Sequence, residues 1–417
     1  MKKSDVIVIG AGLAGLTAAA LAAEYGLSVT VLAKGAGTLA FGGGTVDVLG
    51  CYNGKGILSA RRGLELLPPT HPYAITGTKT VEDALFFFQK LCQEADYPLE
   101  GSLDSNTLVA TSAGTLKPSC LVPRTMNTAC LAEAREVFVV SFSGLKDFYP
   151  SLIIKGLRRH SALADIDYRT AVVEPDLDPG RDVTVLDIAR WLDTKAGQQS
   201  LVRQLKDRIP TGSVLLVPPV LGTQPSYDAW ETLQEMLGVR MIELAAPPPG
   251  ITGNRIRMLL LHVLKQKRIA LVEQAYVRRA EVQDGRCLAV ATKHFGRERT
   301  YEANAFILAA GGFLGGGLTA EPSGVRESIF DLPVAAIPVS ENLSAGLLDA
   351  APIFQSGLTV DALMRPLDRQ GKVALENVYA VGSILAGYDY SSEKSGNGVA
   401  VVSAYQAVKA VAERCKV

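Results

Sequence analysis

The stretch Asp5 to Leu16, DVIVIGAGLAGL, constrains the fold more than any other part of this chain. Val6 to Ile9 form a β-branched run with no polar alternation, the pattern of a strand buried on both faces of a parallel sheet. The glycines that follow fall in a GxGxxG spacing. Gly10 permits a tight turn, Gly12 lets a pyrophosphate approach the backbone, and Gly15 lets the next helix pack closely on the strand. An alanine-rich helix is expected from Leu13 to about Tyr25, with Gly26 ending it and a second apolar run, Ser28 to Leu32, returning as a strand. That context turns a weak motif into a dinucleotide fingerprint, with the helix N-terminus at Leu13 and Ala14 presented to phosphate. One element departs from the pattern. Where the fingerprint places an Asp or Glu to hold a ribose hydroxyl, this chain has Ala33-Lys34. A lysine cannot accept that hydrogen bond; it either pairs with a phosphate or stands as a solvated charge at the strand end.

With 417 residues and 48% hydrophobic content the chain can bury large cores, and roughly two or three domains are expected. Lys plus Arg, 42, equals Asp plus Glu, 42, so no basic excess calls for nucleic acid. Outside the fingerprint, the longest uncharged stretches, Ala305 to Ala320 and Ile209 to Tyr227, are broken by glycines or by prolines and hydroxyl residues, and neither reads as a spanning helix. The sequence enters its first strand without a signal peptide, the pattern of a cytoplasmic protein. Cysteines at 51, 92, 120, 130, 287 and 415 form no CxxC, and histidines at 71, 160, 262 and 294 are dispersed, so no metal or iron–sulfur site is expected.

Along the chain, Lys34 to Val48 carries Gly42, Gly43, Gly44 and Thr45. Three consecutive glycines leave backbone N–H groups free to line a ligand, so this loop is expected to lie against the cofactor; a flexible linker is the alternative. No histidine is present here for a covalent flavin link. Pro68-Pro69-Thr70-His71-Pro72 marks a domain exit. Val81 to Glu94 is an amphipathic helix whose Phe86, Phe87 and Phe88 are expected in the core. Val137 to Phe142 and Ser213 to Val217 read as buried strands, with Ser143-Gly144-Leu145 opening a helix. Thr184 to Asp207 is mostly helical, with Thr184 as N-cap and Asp187 in the first turn. These alternations predict an inserted α/β lobe over 66–252, between two parts of a dinucleotide-binding domain, 1–65 and 253–417.

The stiff loop from Pro247 to Gly253 delivers Arg255 at the start of a helix, Asn254 to Lys267. A helix N-terminus with a guanidinium can hold an anion, and an arginine capping its own surface is the alternative. Ile269 to Val272 and Tyr276 to Val282 lead to a hairpin turn at Asp284-Gly285. The strand Ala305 to Leu308 runs into Ala309, Gly311 and Gly312, which brings backbone close to a cofactor phosphate or ribose. Near the C-terminus, Asn377 to Ser383 is a strand ending on Gly382 and Ser383. Gly396, Asn397, Gly398 and Val399 then open a long helix to about Ala412, whose N-terminus can stabilise the negative edge of a reduced flavin.

The order GxGxxG, glycine loop, inserted lobe, FILAAGG and NVYAVGS…GNGVAVVSA resembles the fumarate reductase-like class of two-dinucleotide-binding-domain flavoproteins. More narrowly, FGGGTVDVLG, HPYAI, TSAGTLKPS, FSGLKDF, PPPGITGNRIR, FILAAGGFLGGGL and YAVGSILAGYDY are similar, nearly end to end, to the B-subunit family of anaerobic glycerol-3-phosphate dehydrogenase. The resemblance implies a Rossmann-like flavoprotein fold, in a family often assigned FMN; the GxGxxG fingerprint, which holds a pyrophosphate, argues instead for non-covalent FAD, and Lys34 in place of the ribose acid leaves FMN as the alternative. The resemblance also implies two partners, the catalytic, FAD-carrying A subunit and the membrane-associated iron–sulfur C subunit. Such a complex oxidises sn-glycerol 3-phosphate to dihydroxyacetone phosphate and passes electrons to the quinone pool at the inner face of the cytoplasmic membrane. For turnover on this chain, Arg255 is the candidate for the substrate phosphate, His71 for the base and Arg124 for a second anion contact. Two other functions compete. One is a non-catalytic flavin-binding component for electron relay or assembly. The other is an autonomous fumarate reductase-like enzyme, which Ala351 to Ser356 argues against because the basic residues such enzymes place there are missing.

Overall fold

The computed structural model describes residues 4–177, 182–248, 250–294, 297–322, 324–337 and 352–415. Pro249 of the proline loop and Ala351 therefore lie outside the described residues. In chain order the elements that matter below are β1 (Ser4–Ile9), α1 (Leu13–Glu24), β2 (Val29–Leu32), α2 (Pro72–Thr76), α3 (Thr78–Glu94), β3 (Glu136–Phe142), β4 (Asp167–Val173), α4 (Val185–Leu192), α5 (Lys195–Leu205), β5 (Val214–Val217), α6 (Asp228–Leu237), β6 (Arg240–Glu243), α7 (Ile251–Gln266), β7 (Ala270–Val272), β8 (Tyr276–Gln283), β9 (Arg286–His294), β10 (Arg297–Leu308), β11 (Val378–Ala380) and α8 (Gly396–Cys415).

The chain divides into two compact units, one of Met1–Leu39, Asp47–Leu91 and Leu260–Val417, the other of Ala40–Val46 and Cys92–Leu259. The lobe expected over 66–252 thus overlaps the second unit, while residues 66–91 group with the first. They do so because α2 is tied to the C-terminal segment: the Tyr73 hydroxyl donates to Ser395 O at 3.2 Å.

In the first unit the parallel order is β7-β2-β1-β10-β11, a doubly wound Rossmann-like sheet. β1 lies between β2 and β10, with Val6 opposite both Val29 and Ala305, which is why its four β-branched residues are all buried. β10 changes partner along its length: Ala303 to Leu308 run parallel to β1, whereas Arg297 to Glu302 pair antiparallel with β9. β8 and β9 form the expected hairpin, with Gln283 opposite Arg286 across Asp284-Gly285. Leu13 to Ala22 of α1 are all buried, so its apolar surface runs round the helix instead of forming a stripe.

The second unit holds a four-stranded parallel sheet in the order β4-β3-β5-β6. Alternate residues of β3 serve opposite cores: Phe138, Val140 and Phe142 pack with α4 and α5 residues such as Trp191 and Leu201, while Val137 and Val139 pack with Ile153 and Leu157. The inserted segment is therefore an α/β layer structure covered on both faces. Thr184 caps α4 through a reciprocal capping box with Asp187. The expected helix over 184–207 is split at Asp193-Thr194, where Thr194 Oγ1 caps a new helix by accepting from Gly197 N–H at 3.0 Å. No helix opens at Ser143; that segment turns, and the next helix starts at Pro150.

Phe87 and Phe88 are in the core as expected, but Phe86 is 72% exposed, because successive residues on a helix are about 100° apart. Among the described residues no helix is long and apolar enough to cross a membrane, and no group of His, Cys, Asp and Glu is arranged to hold a metal.

Candidate functional site

The three fingerprint glycines have distinct physical roles. Gly10 has φ +114°, and a Cβ there would lie 2.2 Å from the carbonyl oxygen of Ala309, where the ends of β1 and β10 lie side by side. Gly15 is equally enclosed: a Cβ would sit 2.0 Å from Gly10 O. Gly12 is different, since a Cβ built on it meets nothing within 4 Å. It stands as N-cap of α1 with no capping side-chain hydrogen bond and no acidic residue in the first turn. The start of α1, with Leu13 and Ala14 leading it, is thus a positive helix end facing open space over a backbone without a side chain, which suits a pyrophosphate.

The neighbouring strand ends converge on the same edge. Ala309 N–H donates to Ile9 O at 2.9 Å. Gly312 N–H donates to Ser383 Oγ at 3.0 Å, joining the glycines after β10 to those after β11. Gly311 and Gly382 have φ +78° and +77°, and a Cβ on Gly382 would lie 3.0 Å from the methyl of Ala14. Gly382 N–H is held by Ser403 Oγ of α8 at 2.9 Å. A crevice at the carboxyl ends of parallel strands is where doubly wound sheets bind nucleotides.

Other expected contacts have other surroundings. At the start of α8, the N–H groups of Gly398 and Val399 are spent on Asp47 O and Ser395 O, both at 3.0 Å. A Cβ on Gly398 would be 2.3 Å from the Tyr73 hydroxyl, one on Gly396 would be 3.0 Å from Tyr390 Cβ, and Val399 is fully buried. Gly396 and Gly398 are small because α2 and Tyr390 pack on them, so protein closes this helix start, where the sequence predicts an open anion site. Asn397 lies between them in the first turn. Gly42 to Thr45 belong to the second unit, where the loop packs on α7: a Cβ on Gly44 would meet Thr252 Cβ at 2.6 Å and one on Gly250 would meet Gly42 O at 2.4 Å. Gly43 is open, with nothing within 4 Å of a Cβ built on it. Thr45 is buried and accepts a 2.9 Å hydrogen bond from Lys117 Nζ. Nothing in the spacing around Lys117 points to that contact, although the block that carries it, TSAGTLKPS, is distinctive.

The three candidate catalytic residues receive different roles. Arg255 is fully buried, not exposed at a helix start: Nη1 and Nη2 donate to the two oxygens of Glu243 at 2.6 and 2.9 Å, while Nε and Nη2 donate to Gly222 O at 2.9 and 2.7 Å. These bonds spend four of its five N–H donors inside the second unit, and its full burial keeps it from being a surface phosphate contact. Burial pushes the Glu243 carboxyl up, but the Arg255 charge and hydrogen bonds from Arg255 and Leu221 N–H together hold it below the usual carboxylate range. Burial pulls Arg255 down, and the Glu243 carboxylate raises it further than that.

His71 is buried as well. Its Nδ1 accepts from Tyr73 N–H at 3.1 Å, capping α2 ahead of Pro72, and its Nε2 lies 3.2 Å from Glu393 Oε2. Since Nδ1 is the acceptor, Nε2 carries the proton and donates to Glu393. Both nitrogens thus serve structure, and no lone pair remains for a substrate proton. His71→Ala should lower stability by about 1–2 kcal/mol in urea unfolding, with His71→Asn recovering the N-cap part of it; equal losses for both variants would show that the cap is not what matters.

Arg124 is partly exposed and neutralised by Glu231 at 2.9 Å, with its guanidinium 5.2 Å from the rings of both Tyr227 and Trp230. It is the edge of a surface network that also includes Glu100 at 3.7 Å, so its charge is already compensated by protein carboxylates.

Similarity to known proteins decides the family to which this geometry belongs. The profile of the FAD binding domain family matches residues 5–399. The chain is 30% identical to the probable B subunit of an anaerobic glycerol-3-phosphate dehydrogenase from Halobacterium salinarum, over 99% of this chain and 98% of that one. It is 31% identical to the B subunit of the anaerobic glycerol-3-phosphate dehydrogenase of Yersinia pseudotuberculosis, over 96% of each. The chain belongs to this B-subunit family. Among solved structures, a 3-ketosteroid Δ1-dehydrogenase from Sterolibacterium denitrificans is similar over 99% of this chain and 100% of that one, with a TM-score of 0.47 and 13% identity.

Proposed function

We propose that this chain is a flavin-carrying component of an anaerobic glycerol-3-phosphate dehydrogenase complex, holding FAD non-covalently and relaying electrons from sn-glycerol 3-phosphate oxidation to the quinone pool. Its partners are the catalytic, FAD-carrying A subunit and the membrane-associated iron–sulfur C subunit, and it works at the inner face of the cytoplasmic membrane through them. The observation that carries the cofactor reading is Gly12. Its missing side chain leaves space next to the uncapped start of α1, where Leu13 and Ala14 present N–H groups to a pyrophosphate. A pyrophosphate is present in FAD and absent from FMN, so the fingerprint favours FAD. When bound, FAD supplies an acceptor and donor for electron pairs. The residues of the chain contribute binding: Gly10 and Gly15 hold the turn in shape, and Gly311, Gly312, Gly382 and Ser383 keep the adjoining strand ends free of bulky side chains.

Relay is favoured over turnover on this chain because Arg255, His71 and Arg124 are each committed to internal hydrogen bonds or ion pairs. Anaerobic addition of glycerol 3-phosphate to the isolated chain should leave its flavin oxidised until the partner subunits are added. Bleaching by substrate alone would instead place oxidation of the polyol phosphate on this chain.

A further inference from the structure

At the end of β2 the position that would present an acid to a ribose is closed. Ala33 is buried, its N–H donates to Val272 O and its carbonyl accepts from Ala275 N–H, both at 2.9 Å. The next residue, Lys34, is exposed, with Nζ 4.7 Å from the centroid of the Tyr276 ring and 3.7 Å from where a Cβ on Gly316 would be. Arg278, left unpaired at the register shift between Val277 and Arg279 of β8, brings its guanidinium to 5.2 Å from that ring. Among the described residues neither cation has a carboxylate partner, whereas the adjacent Arg279 is paired with Glu298 at 2.7 Å. Two cations without a carboxylate partner lie against one aromatic ring, and a dianion bound there would compensate their charge.

We propose that Lys34, Arg278 and Tyr276 form a phosphomonoester subsite at the ribose end of the nucleotide crevice, which favours nucleotides carrying a further phosphate on the ribose. The guanidinium offers a planar fork for two phosphate oxygens, Lys34 a second positive charge, and the tyrosine ring holds the two cations in place. In doubly wound folds a cation at this place accommodates a ribose 2′-phosphate, where an acid would accept from the hydroxyl. FAD has no such phosphate, so ribose-phosphorylated nucleotides act here as competitors of the cofactor. This rests on the reading that a dinucleotide occupies the crevice.

The test uses the full chain, first assayed for bound flavin by absorbance and then stripped of it, and titrated with adenosine 2′,5′-bisphosphate, adenosine 5′-monophosphate and inorganic phosphate. The bisphosphate should bind about five- to tenfold more tightly than the monophosphate, with the advantage shrinking as salt rises. Lys34→Gln and Arg278→Gln should each remove part of that advantage while leaving the affinity for the monophosphate unchanged. Equal affinity for the two nucleotides would overturn the subsite. Inorganic phosphate that binds as tightly as the bisphosphate, and is not displaced by it, would overturn the ribose assignment in favour of a free phosphate site. A chain purified with flavin that fails to discriminate loses only this subsite, while one without flavin loses the cofactor reading whatever the titration gives.

Discussion

Arg255→Met should destabilise the second unit by about 3–5 kcal/mol, since it leaves the Glu243 carboxylate buried without its counter-charge. Both side chains are fully enclosed, so neither can turn to water. The variant Arg255→Met with Glu243→Leu should recover part of the loss, because no ion then remains in the interior. Recovery stops short of complete: Leu221 N–H, which donates to Glu243 at 2.8 Å, and Gly222 O, which accepts from Arg255, are left unpaired at about 1–3 kcal/mol each. Urea unfolding followed by tryptophan fluorescence reads this directly, since the chain's two tryptophans, Trp191 and Trp230, both lie in the second unit.

The pair also sets a pH dependence. Glu243 is held below its unfolded value of about 4.3, so it contributes stability that is fully present above that pH and lost as pH falls through the lower folded value. Stability of the second unit should therefore fall below about pH 4, and Glu243→Gln should remove that part of the slope. A single Arg255→Met variant as stable as the parent would show that the pair is dispensable.

The second large effect concerns the fingerprint, where the glycines should separate cleanly. Gly12 has φ −81° and open space ahead, so Gly12→Ala should fold normally; its methyl would occupy the space in which a pyrophosphate meets the backbone. Flavin affinity should fall by about tenfold or more with no shift in the urea midpoint. Gly10→Ala should lose both fold stability and flavin, since φ +114° is strained for alanine and the methyl would meet Ala309 O at 2.2 Å. If Gly12→Ala retained full flavin, the open edge would not be the cofactor site.

What is legible in this sequence is local. The β1 run, the turn glycines, α1 and β2 are neighbours along the chain, and spacing alone carries their arrangement. The continuous apolar run Val137 to Val140 likewise anticipates a strand buried on both faces. Arg255 misleads because its partner lies on another element, β6, and the glycine whose carbonyl it holds is 33 residues away in sequence. His71 misleads because proline on its C-terminal side marks a loop exit and a helix N1 position equally well; only Glu393, 322 residues on, shows which. The α8 glycines follow the same logic: small residues admit a ligand or a neighbouring side chain, and Tyr73 takes the space.

The measurement that bears most directly on the central claim is the identity of the cofactor. The chain should be purified alone, its non-covalent ligand released by denaturation and weighed by mass spectrometry, with Gly12→Ala alongside. The account predicts FAD from the parent and little or none from a folded Gly12→Ala variant. A parent chain that releases no flavin, or an alanine variant that releases as much as the parent, would contradict it.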